Sequence, residues 1–244
     1  MKTIRIEVLY PELNHLYGDT GNIAYLTAKL DLMGVPYEII STNLKDEPAF
    51  VKGDIDFLYI GPSTESYQKL EAEALQAYRD ALIERMNSDA VTLMTGNAFE
   101  LLGEYIEEES GEKFPALSII PTYAKRFTRL RFNDLDLGEW NGIEIVGLKN
   151  QLSHTYLTEG ASSPDSFLSM KFGCGLNPQS KDEGFSKNMF FATYLIGPVL
   201  PLNPLFTAEI LKALCPEVTE IPEMPYEMDA YNRRLADFKS QIKK

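Results

Sequence analysis

The first half of the chain alternates between two spacings of apolar residues. Residues 4–10 (IRIEVLY) place an apolar side chain at nearly every second position, which predicts a β-strand. From Thr20 the apolar residues recur every three or four positions, which predicts a helix that Thr20 caps and Gly34 ends. The residues with that spacing are Ile23, Leu26, Leu30 and Met33. Together these segments predict one β-α unit.

The same succession continues along the chain. Residues 37–40 and 55–60 predict a second and a third strand. A helical spacing over residues 70–87 precedes a fourth strand at residues 91–95. Strands that alternate with helices form a parallel sheet covered on both faces, and its binding groups lie at the carboxyl ends of the strands. Three such ends are therefore candidate site segments, namely residues 61–64, Gly96 and residues 194–198.

The second half of the chain has a different pattern. Its alternating segments are shorter and predict antiparallel strands in an added sheet. These segments are residues 117–120, 127–132 and 142–148. We expect a polar loop over residues 173–187, a helix over residues 203–214, and an amphipathic tail helix over residues 228–244 that covers the protein's own core. No linker interrupts the pattern, so we expect a single domain over residues 1–244.

Charge and composition narrow the classes of partner. The chain has 36 acidic and 23 basic residues and a formal charge of −13, so its field repels nucleic acid and anionic membrane surfaces. It has no apolar run near the roughly 18–20 residues that span a bilayer. Cys174 and Cys215 lie outside any metal-ligand spacing, and His15 and His154 are the only histidines. We therefore expect a cytoplasmic protein that uses no metal and no other cofactor.

The segment VTLMTGNAFELLG at residues 91–103 raises the question of function. A strand that runs into a tight turn and a short helix is where many α/β enzymes expose a nucleophile. The tip of this turn is Gly96, which has no side chain. Alternative nucleophiles are Thr95 beside the tip, Ser63 after the third strand, and Cys174 with His154 as its base. None of the three has the spacing of an established catalytic motif, and structural roles are favoured for all of them.

Four motifs, in order, resemble those of the class I glutamine amidotransferases. They are LYGDTGNI at residues 16–23, the strand at residues 56–61, the turn at residues 93–103 and TYLIGP at residues 193–198. Within that class they are most similar to the glutaminase subunits of lipid II isoglutaminyl synthase and to the cobyric acid synthase-like (CobB/CobQ-type) amidotransferases. The resemblance covers nearly the whole chain. It implies an α/β fold, a flavodoxin-like three-layer sandwich with a central, mostly parallel sheet and an added antiparallel sheet.

The resemblance also implies a site without its reactive groups. Members of this family carry a cysteine nucleophile at the turn and a histidine base in the TYLxGP segment, and Gly96 and Ile196 occupy these positions here. Glycine and isoleucine neither attack an amide nor accept a proton. Pro62 replaces a glycine of the oxyanion loop and has no N–H to donate. We therefore predict degenerate positions at Gly96, Ile196 and Pro62 and no catalytic residue.

A ligand-binding shell is still expected around these positions. Arg129 falls where the lipid II subunits have an arginine that helps to hold glutamine, and a guanidinium fits both oxygens of a carboxylate. A surface ion pair is the alternative role for Arg129. Ser63 and Asn97 are the other predicted ligand-binding residues. Asp19 and Asn22 precede or open the first helix, where an anion could bind, although a structural role is favoured for both.

The resemblance implies a subunit that passes ammonia to a synthetase, often a Mur-ligase-like chain. Because the reactive pair is absent, the favoured hypothesis is a non-catalytic binding or regulatory subunit of such an assembly rather than an enzyme. One alternative is an active amidotransferase subunit that hydrolyses glutamine for cell-wall (peptidoglycan) or cobalamin-type amidation. Another is a sensor that binds glutamine or a different amino acid through Arg129.

Overall fold

The computed structural model describes residues 2–242. Its strands are β1 (Ile4–Leu9), β2 (Tyr37–Thr42), β3 (Phe57–Ile60), β4 (Val91–Thr95), β5 (Tyr105–Glu107), β6 (Lys113–Pro115), β7 (Thr122–Arg126), β8 (Phe132–Trp140), β9 (Ile143–Gln151), β10 (Ser153–Leu157), β11 (Leu168–Phe172), β12 (Asp182–Glu183), β13 (Phe185–Lys187) and β14 (Phe190–Thr193). Its α-helices are α1 (Gly21–Leu32), α2 (Glu65–Leu75), α3 (Arg79–Met86), α4 (Val199–Leu202), α5 (Pro204–Leu214) and α6 (Pro225–Ile242). Up to β4 the strands alternate with helices, with only a short 3-10 helix, Ala49–Lys52, between β2 and β3. The remaining strands then follow one another before the last helices.

The central sheet has six strands in the order β13-β14-β4-β3-β1-β2. Neighbouring strands are parallel except β13, which runs antiparallel to β14. Thr193 pairs with Thr95, and Met94 pairs with Ile60, so the carboxyl ends of β14, β4 and β3 are neighbours. The predicted parallel sheet is confirmed, and the three candidate strand ends lie at one edge of it.

Helices cover both faces of this sheet, because its nearly continuous apolar strands leave no face for water. On one face, α1 and α5 contribute Leu26 and Ile210 to a buried cluster that contains Ile6 of β1. On the other face, α2 contributes Leu75 to a second cluster that contains Leu58 of β3. This arrangement is the expected α/β three-layer sandwich.

The second half of the chain adds two sheets of four strands, where the sequence predicts one. Their orders are β10-β7-β5-β6 and β12-β11-β8-β9, and most of their neighbouring strands are antiparallel. The predicted strand at residues 142–148 is confirmed as part of β9. The predicted strand at residues 127–132 is wrong, because this segment is mostly the turn between β7 and β8. The loop predicted at residues 173–187 includes the short strands β12 and β13.

The strand predicted at residues 117–120 is also wrong. The backbone N–H groups of Leu117 and Ile119 donate to the carbonyl groups of Leu101 and Leu102, at 2.9 and 2.8 Å. Leu117 is fully buried by this contact. The alternating apolar side chains therefore pack against the short helix that follows β4, and their backbone does not join a sheet.

The helices differ from the prediction mainly at their boundaries. The helix predicted over residues 70–87 is divided into α2 and α3 by a turn of 3-10 helix at Gln76–Tyr78. Gly34 has φ +65°, as its predicted role at the end of α1 requires. The predicted cap is wrong, because the backbone of Thr20 is itself helical. Among the described residues, the Thr20 side chain accepts no hydrogen bond from the first turn.

The tail helix α6 begins at Pro225, earlier than predicted, and the last predicted residues, 243 and 244, lie outside the described residues. Its buried face consists of Tyr231, Leu235 and Phe238, which pack against Leu137 and Val146. The expectation that this helix covers the protein's own core is therefore confirmed.

Candidate functional site

The turn after β4 brings the three candidate strand ends into contact. Gly96 begins a short 3-10 helix, Gly96–Leu102, and has φ +60°, a left-handed conformation that glycine adopts without strain. A Cβ atom added at Gly96 would lie 2.7 Å from Cβ of Pro62 and 3.2 Å from Cγ2 of Ile196. Carbon atoms in proteins do not approach to 2.7 Å, and 3.2 Å is a tight contact, so Pro62 and Ile196 fill the space in front of the turn.

The loop after β3 is held by a reciprocal pair of hydrogen bonds. The backbone N–H of Ser63 donates to Oδ1 of Asn97 at 3.0 Å, and Nδ2 of Asn97 donates to the Ser63 carbonyl at 2.9 Å. Pro62 has no N–H, and the N–H of Ser63 is already used. Neither residue therefore offers a donor to an oxyanion.

A cavity lies beside Gly96, and we call it the turn cavity. Its walls include Pro62, Ser63, Asn97, Glu100 and Arg126. Its volume is about 20 Å³, which is the space of about one water molecule. The predicted ligand-binding residues Ser63 and Asn97 line this cavity.

The floor of the turn cavity is a buried network of hydrogen bonds around Glu100. One carboxylate oxygen accepts from the Tyr194 hydroxyl at 2.9 Å and from the Ser153 hydroxyl. The other accepts from Nε2 of Gln68 at 2.9 Å. Burial raises the pKa of Glu100, and the positive charge of Arg126 opposes that shift. Both carboxylate oxygens of Glu100 accept hydrogen bonds from neighbouring side chains. Glu100 therefore stabilises the floor of the turn cavity and is not available as a general base.

Arg126 is the buried cation of this network. Its guanidinium forms an ion pair with Glu108, donates to Gln68 and lies 5.2 Å from the centre of the Phe114 ring. Arg126 is only 4% exposed, whereas Arg129 is exposed in the turn between β7 and β8 and does not line the turn cavity. The structure therefore does not bring Arg129 to the turn, and its role in ligand binding stays a prediction.

Sequence reasoning missed four residues of this network, namely Gln68, Glu100, Arg126 and Ser153. Two of them leave a signal in the sequence. Glu100 is the charged residue within the apolar segment AFELL, and a charge in a buried helix requires partners. Arg126 stands in register with the buried positions of β7, where the burial alternates along TYAKR.

The LYGDTGN segment supports the turn from behind. Asp19 accepts hydrogen bonds from the N–H of Gly197 at 3.2 Å, from the Tyr59 hydroxyl at 2.6 Å and from the Thr95 hydroxyl. Asn22 donates to the Tyr59 hydroxyl at 3.2 Å. These bonds connect the start of α1 to the ends of β3 and β4, which is a structural role for Asp19 and Asn22. Thr95 is fully buried, so this candidate nucleophile does not reach the turn cavity.

Ser63, the second candidate nucleophile, lies beside a buried acid. Its hydroxyl donates to the Thr64 carbonyl at 3.3 Å. Burial raises the pKa of neighbouring Glu71 to about 8. Among the described residues, neither oxygen of Glu71 has a hydrogen-bond partner. At neutral pH this carboxyl is mostly protonated, and a protonated carboxyl does not take a proton from serine.

Comparison with known proteins identifies the family of this fold. A family model described as the CobB/CobQ-like glutamine amidotransferase domain matches residues 5–203. The chain belongs to this family. The match extends from β1 through α4, so the amidotransferase domain includes Pro62, Gly96 and Ile196. The resemblance found in the sequence motifs is confirmed at the level of the family.

Two relatives of this chain are named as the GatD subunit of lipid II isoglutaminyl synthase (glutamine-hydrolyzing). The Streptococcus pneumoniae subunit is 25% identical over 98% of this chain and 92% of its own length. The Staphylococcus aureus subunit is 26% identical over 88% of this chain and 85% of its own length. Their coverage agrees with a relationship along nearly the whole chain.

A solved structure shares the amidotransferase fold. The glutaminase domain of Trypanosoma brucei CTPS, solved with bound acivicin, has a TM-score of 0.51 and 11% identity, over 90% of this chain and 97% of that chain. At this identity the likeness shows the fold alone. Within residues 2–242, none of the helices is both long enough and apolar enough to cross a membrane.

The amidotransferase domain has a second, larger cavity above the β8–β9 hairpin, which we call the hairpin cavity. It has a volume of about 270 Å³, and its walls include Arg131, Asp134, Gln151, His154 and Cys174. Cys174 and His154 thus line one cavity, as their proposed pairing requires. However, burial and the nearby Asp134 raise the pKa of Cys174, so the thiol is not activated. Burial also lowers the pKa of His154.

Proposed function

We propose that this amidotransferase-like chain is a non-catalytic subunit that binds or regulates a Mur-ligase-like synthetase. The observation that carries the proposal is the packing at the turn. Gly96, Pro62 and Ile196 come from three strand ends, and together they leave no space for a side chain at the tip. Three such changes fit one another, as expected of a site that no longer carries out amide hydrolysis.

The chemistry of amide hydrolysis supports the same conclusion. Attack on a glutamine amide needs a nucleophile, a base within hydrogen-bond reach, and donors for the developing oxyanion. Each element contributes orders of magnitude to the rate. Gly96 supplies no nucleophile, Ile196 accepts no proton, and Pro62 and Ser63 offer no free N–H.

The role as a subunit rests on the relatives. Both are named as subunits of lipid II isoglutaminyl synthase, and each is matched over most of its own length. We infer that a chain that keeps this fold after losing the reactive groups also keeps the surface through which such a subunit contacts its partner. We therefore place the function of this chain in the assembly and not in its own chemistry.

Glutamate release from glutamine tests this proposal. The full chain is assayed alone and together with a candidate Mur-ligase-like synthetase, and we expect no release above the background of either protein. The triple variant Pro62→Gly/Gly96→Cys/Ile196→His restores the reactive groups and the space for them. The single variant Gly96→Cys is the matched control, which we expect to remain inactive. Turnover by the unmodified chain that Ser63→Ala or Cys174→Ala abolishes would contradict the proposal and favour an active subunit.

Association with the synthetase is measured separately, by analytical ultracentrifugation or calorimetry. We expect a stable complex whose formation does not require glutamine. Absence of a complex with any synthetase encoded near this chain would contradict the proposed partnership, even if glutamate release is also absent.

A further inference from the structure

We propose that a cleft between α1 and the β2 edge of the central sheet binds an uncharged nitrogen heterocycle, the chemical class that includes the nucleobases. We call it the edge cleft, and its walls include Asn14, Ile23, Ile39 and Tyr59. Its volume of about 330 Å³ lies within the roughly 300–1,000 Å³ typical of small-molecule sites. None of its lining residues lines the turn cavity or the hairpin cavity. Binding here requires no chemistry at Gly96, so this inference does not depend on the proposed function.

The edge cleft lies where the connections of the sheet change direction. From β1 the chain passes through α1 to β2 at one edge, and it then returns to β3 on the other side of β1. Open α/β sheets bind ligands at such a switch point, in the crevice outside the carboxyl ends of the strands. Val8 of β1 pairs with both Ser41 of β2 and Tyr59 of β3, and all three line the cleft as the next-to-last residues of their strands. The turn cavity lies at the ends of β3, β4 and β14 and does not use this crevice.

A buried amide in the wall of the edge cleft has an acceptor without a donor. Asn14 is 1% exposed, and its Nδ2 donates to the Leu9 carbonyl at 3.2 Å. Among the described residues, Oδ1 of Asn14 has no hydrogen-bond partner. A buried acceptor that lacks a donor costs free energy, and the N–H of a ligand ring would supply that donor.

The other walls of the edge cleft are apolar or carry hydroxyl groups. The apolar residues are Val8, Pro11, Ile23, Ala24 and Ile39, and the hydroxyl groups belong to Thr20, Thr27, Ser41 and Tyr59. None of the described residues that line the cleft is charged. Ile39 is 47% exposed, so a flat ring that covers it removes apolar surface from water. The walls therefore favour a ligand that is uncharged and largely apolar.

Other classes of ligand suit the edge cleft less well. A phosphate, a carboxylate or an ammonium group would lose its hydration without meeting an opposite charge. A hydrocarbon suits the apolar walls but leaves Oδ1 of Asn14 without a donor. A sugar needs partners for many hydroxyl groups, and one of the few in the walls, that of Thr27, already donates to the Ile23 carbonyl at 3.0 Å. A heterocycle combines apolar ring faces with an N–H at its edge.

Calorimetric titration of the full chain with adenine, uracil and indole tests this inference. We expect at least one of them to bind. The derivative of that compound in which every N–H is replaced by N–CH₃ keeps the ring but donates no hydrogen bond. It should bind at least about tenfold more weakly, because the bond to Asn14 is lost. No binding of any of the three at millimolar concentration, or equal binding of the methylated derivative, would overturn the proposal.

Matched variants assign the site. Ala24 and Ala28 are both exposed on α1, but only Ala24 lines the edge cleft. Ala24→Phe fills the cleft and should weaken binding at least about tenfold, whereas Ala28→Phe should leave the affinity unchanged. Asn14→Leu removes the acceptor, so the parent compound and its methylated derivative should then bind alike. If Asn14→Leu does not fold, the two alanine variants carry the test. Normal binding in Ala24→Phe would overturn the proposal.

Isoleucine methyl signals provide a direct readout of the edge cleft. Ile23 and Ile39 line the cleft, whereas Ile106 is buried in the added sheet β10-β7-β5-β6. In protein labelled at its isoleucine methyl groups, the ring current of the bound heterocycle should shift the signals of Ile23 and Ile39 and leave that of Ile106 unchanged. Binding that leaves Ile23 and Ile39 unchanged would place the ligand elsewhere and overturn the inference. Shifts of Ile39 that follow the protein concentration and not the heterocycle would assign the cleft to a second copy of the chain, which also overturns it.

Discussion

The turn cavity and the hairpin cavity lie side by side and share Gln151, but their space is used in opposite ways. The turn cavity measures about 20 Å³, because Pro62 and Ile196 close on Gly96 and a hydrogen-bonded floor closes from below. The hairpin cavity measures about 270 Å³ and leaves opposite charges unpaired along its walls among the described residues. The comparison shows that apolar side chains, here Pro62 and Ile196, can fill the strand ends where relatives carry reactive groups. A polar cavity remains open directly beside them.

The two regions also differ in how they accommodate a buried carboxyl. Asp136 beside the hairpin cavity lies 3.8 Å from Nζ of Lys149, whereas Glu71 behind the Ser63 loop has no hydrogen-bond partner within residues 2–242. Burial raises the pKa of both carboxyls, to about 7 for Asp136 and to about 8 for Glu71. The charge of Lys149 opposes the shift of the Asp136 pKa, whereas no cation within residues 2–242 opposes the shift at Glu71.

Removal of the buried cation should have the largest effect on stability. Lys149→Met leaves Asp136 buried without its partner and frees the carbonyl groups of Cys174 and Gly175. We expect the free energy of unfolding to fall by about 3–5 kcal/mol at pH values above the Asp136 pKa of about 7, where this carboxyl is ionised, and by less at acidic pH, where it is protonated. Urea unfolding measures this change.

The control for Lys149→Met is Lys171→Met. Lys171 is 40% exposed and pairs with Glu139 and Glu144 at the surface, so its removal should cost no more than about 1 kcal/mol. Equal effects of the two substitutions would mean that the wall of the hairpin cavity is not fixed by buried charge.

A methyl group at the turn should have the next largest effect. Gly96 and Gly18 both have positive φ, at +60° and +70°, so alanine at either position carries backbone strain. Only at Gly96 does the new Cβ also meet Pro62 and Ile196, because among the described residues no atom lies within 4 Å of a Cβ at Gly18. Gly96→Ala should therefore destabilise the protein by about 1–3 kcal/mol more than Gly18→Ala.

A double-mutant cycle with Pro62→Gly sharpens this comparison. Pro62→Gly removes the carbon atom nearest to the added Cβ, so the cost of Gly96→Ala should become smaller in that background. Equal costs in both backgrounds would show that Pro62 does not fill the tip of the turn.

The smallest expected effect, per pH unit, is the change in stability caused by titration of the buried Glu71 carboxyl. Burial raises the pKa of Glu71 from 4.5 to about 8, so the folded state holds this proton while the unfolded state releases it. The contribution of Glu71 to the free energy of unfolding is complete below its unfolded pKa of 4.5. This contribution is lost as the pH rises toward its folded pKa of about 8. Within this window the free energy of unfolding should fall by up to about 1.4 kcal/mol per pH unit.

Glu71→Gln should flatten this part of the pH profile. Glu73→Gln is the matched control, because Glu73 is an exposed residue of the same helix. Urea unfolding between pH 5 and pH 8 measures both profiles. If Glu71→Gln and Glu73→Gln give the same slope as the unmodified protein, Glu71 is not the group that titrates.

The sequence predicted the central sheet well because its signals are local. Alternating and helical spacings mark β1, α1 and β4, and parallel pairing then requires that the ends of β3, β4 and β14 meet. The predicted strands at residues 117–120 and 127–132 were wrong for a different reason. Their alternation reflects packing against a helix and around His154, which are tertiary contacts that period alone does not distinguish from a sheet.

The candidate site was only partly predictable. The contact of Gly96, Pro62 and Ile196 follows from the order of the motifs along the strands. The partners of Glu100, by contrast, come from α2, β10 and the segment after β14, and no local pattern joins Gln68, Ser153 and Tyr194. The hairpin cavity is formed by segments of β8, β9 and β10 and the loop after β11, so its charges become neighbours only in the folded chain.

Intact mass measurement after exposure to a diazoketone analogue of glutamine tests the central claim most directly. This reagent reacts covalently with the nucleophile of a working glutaminase site, and a cysteine-containing glutaminase serves as the control for the reagent. Because packing fills the tip of the turn, we predict that the mass of the unmodified chain does not change. A stoichiometric adduct that maps to Ser63, Thr95 or Cys174 would contradict this account.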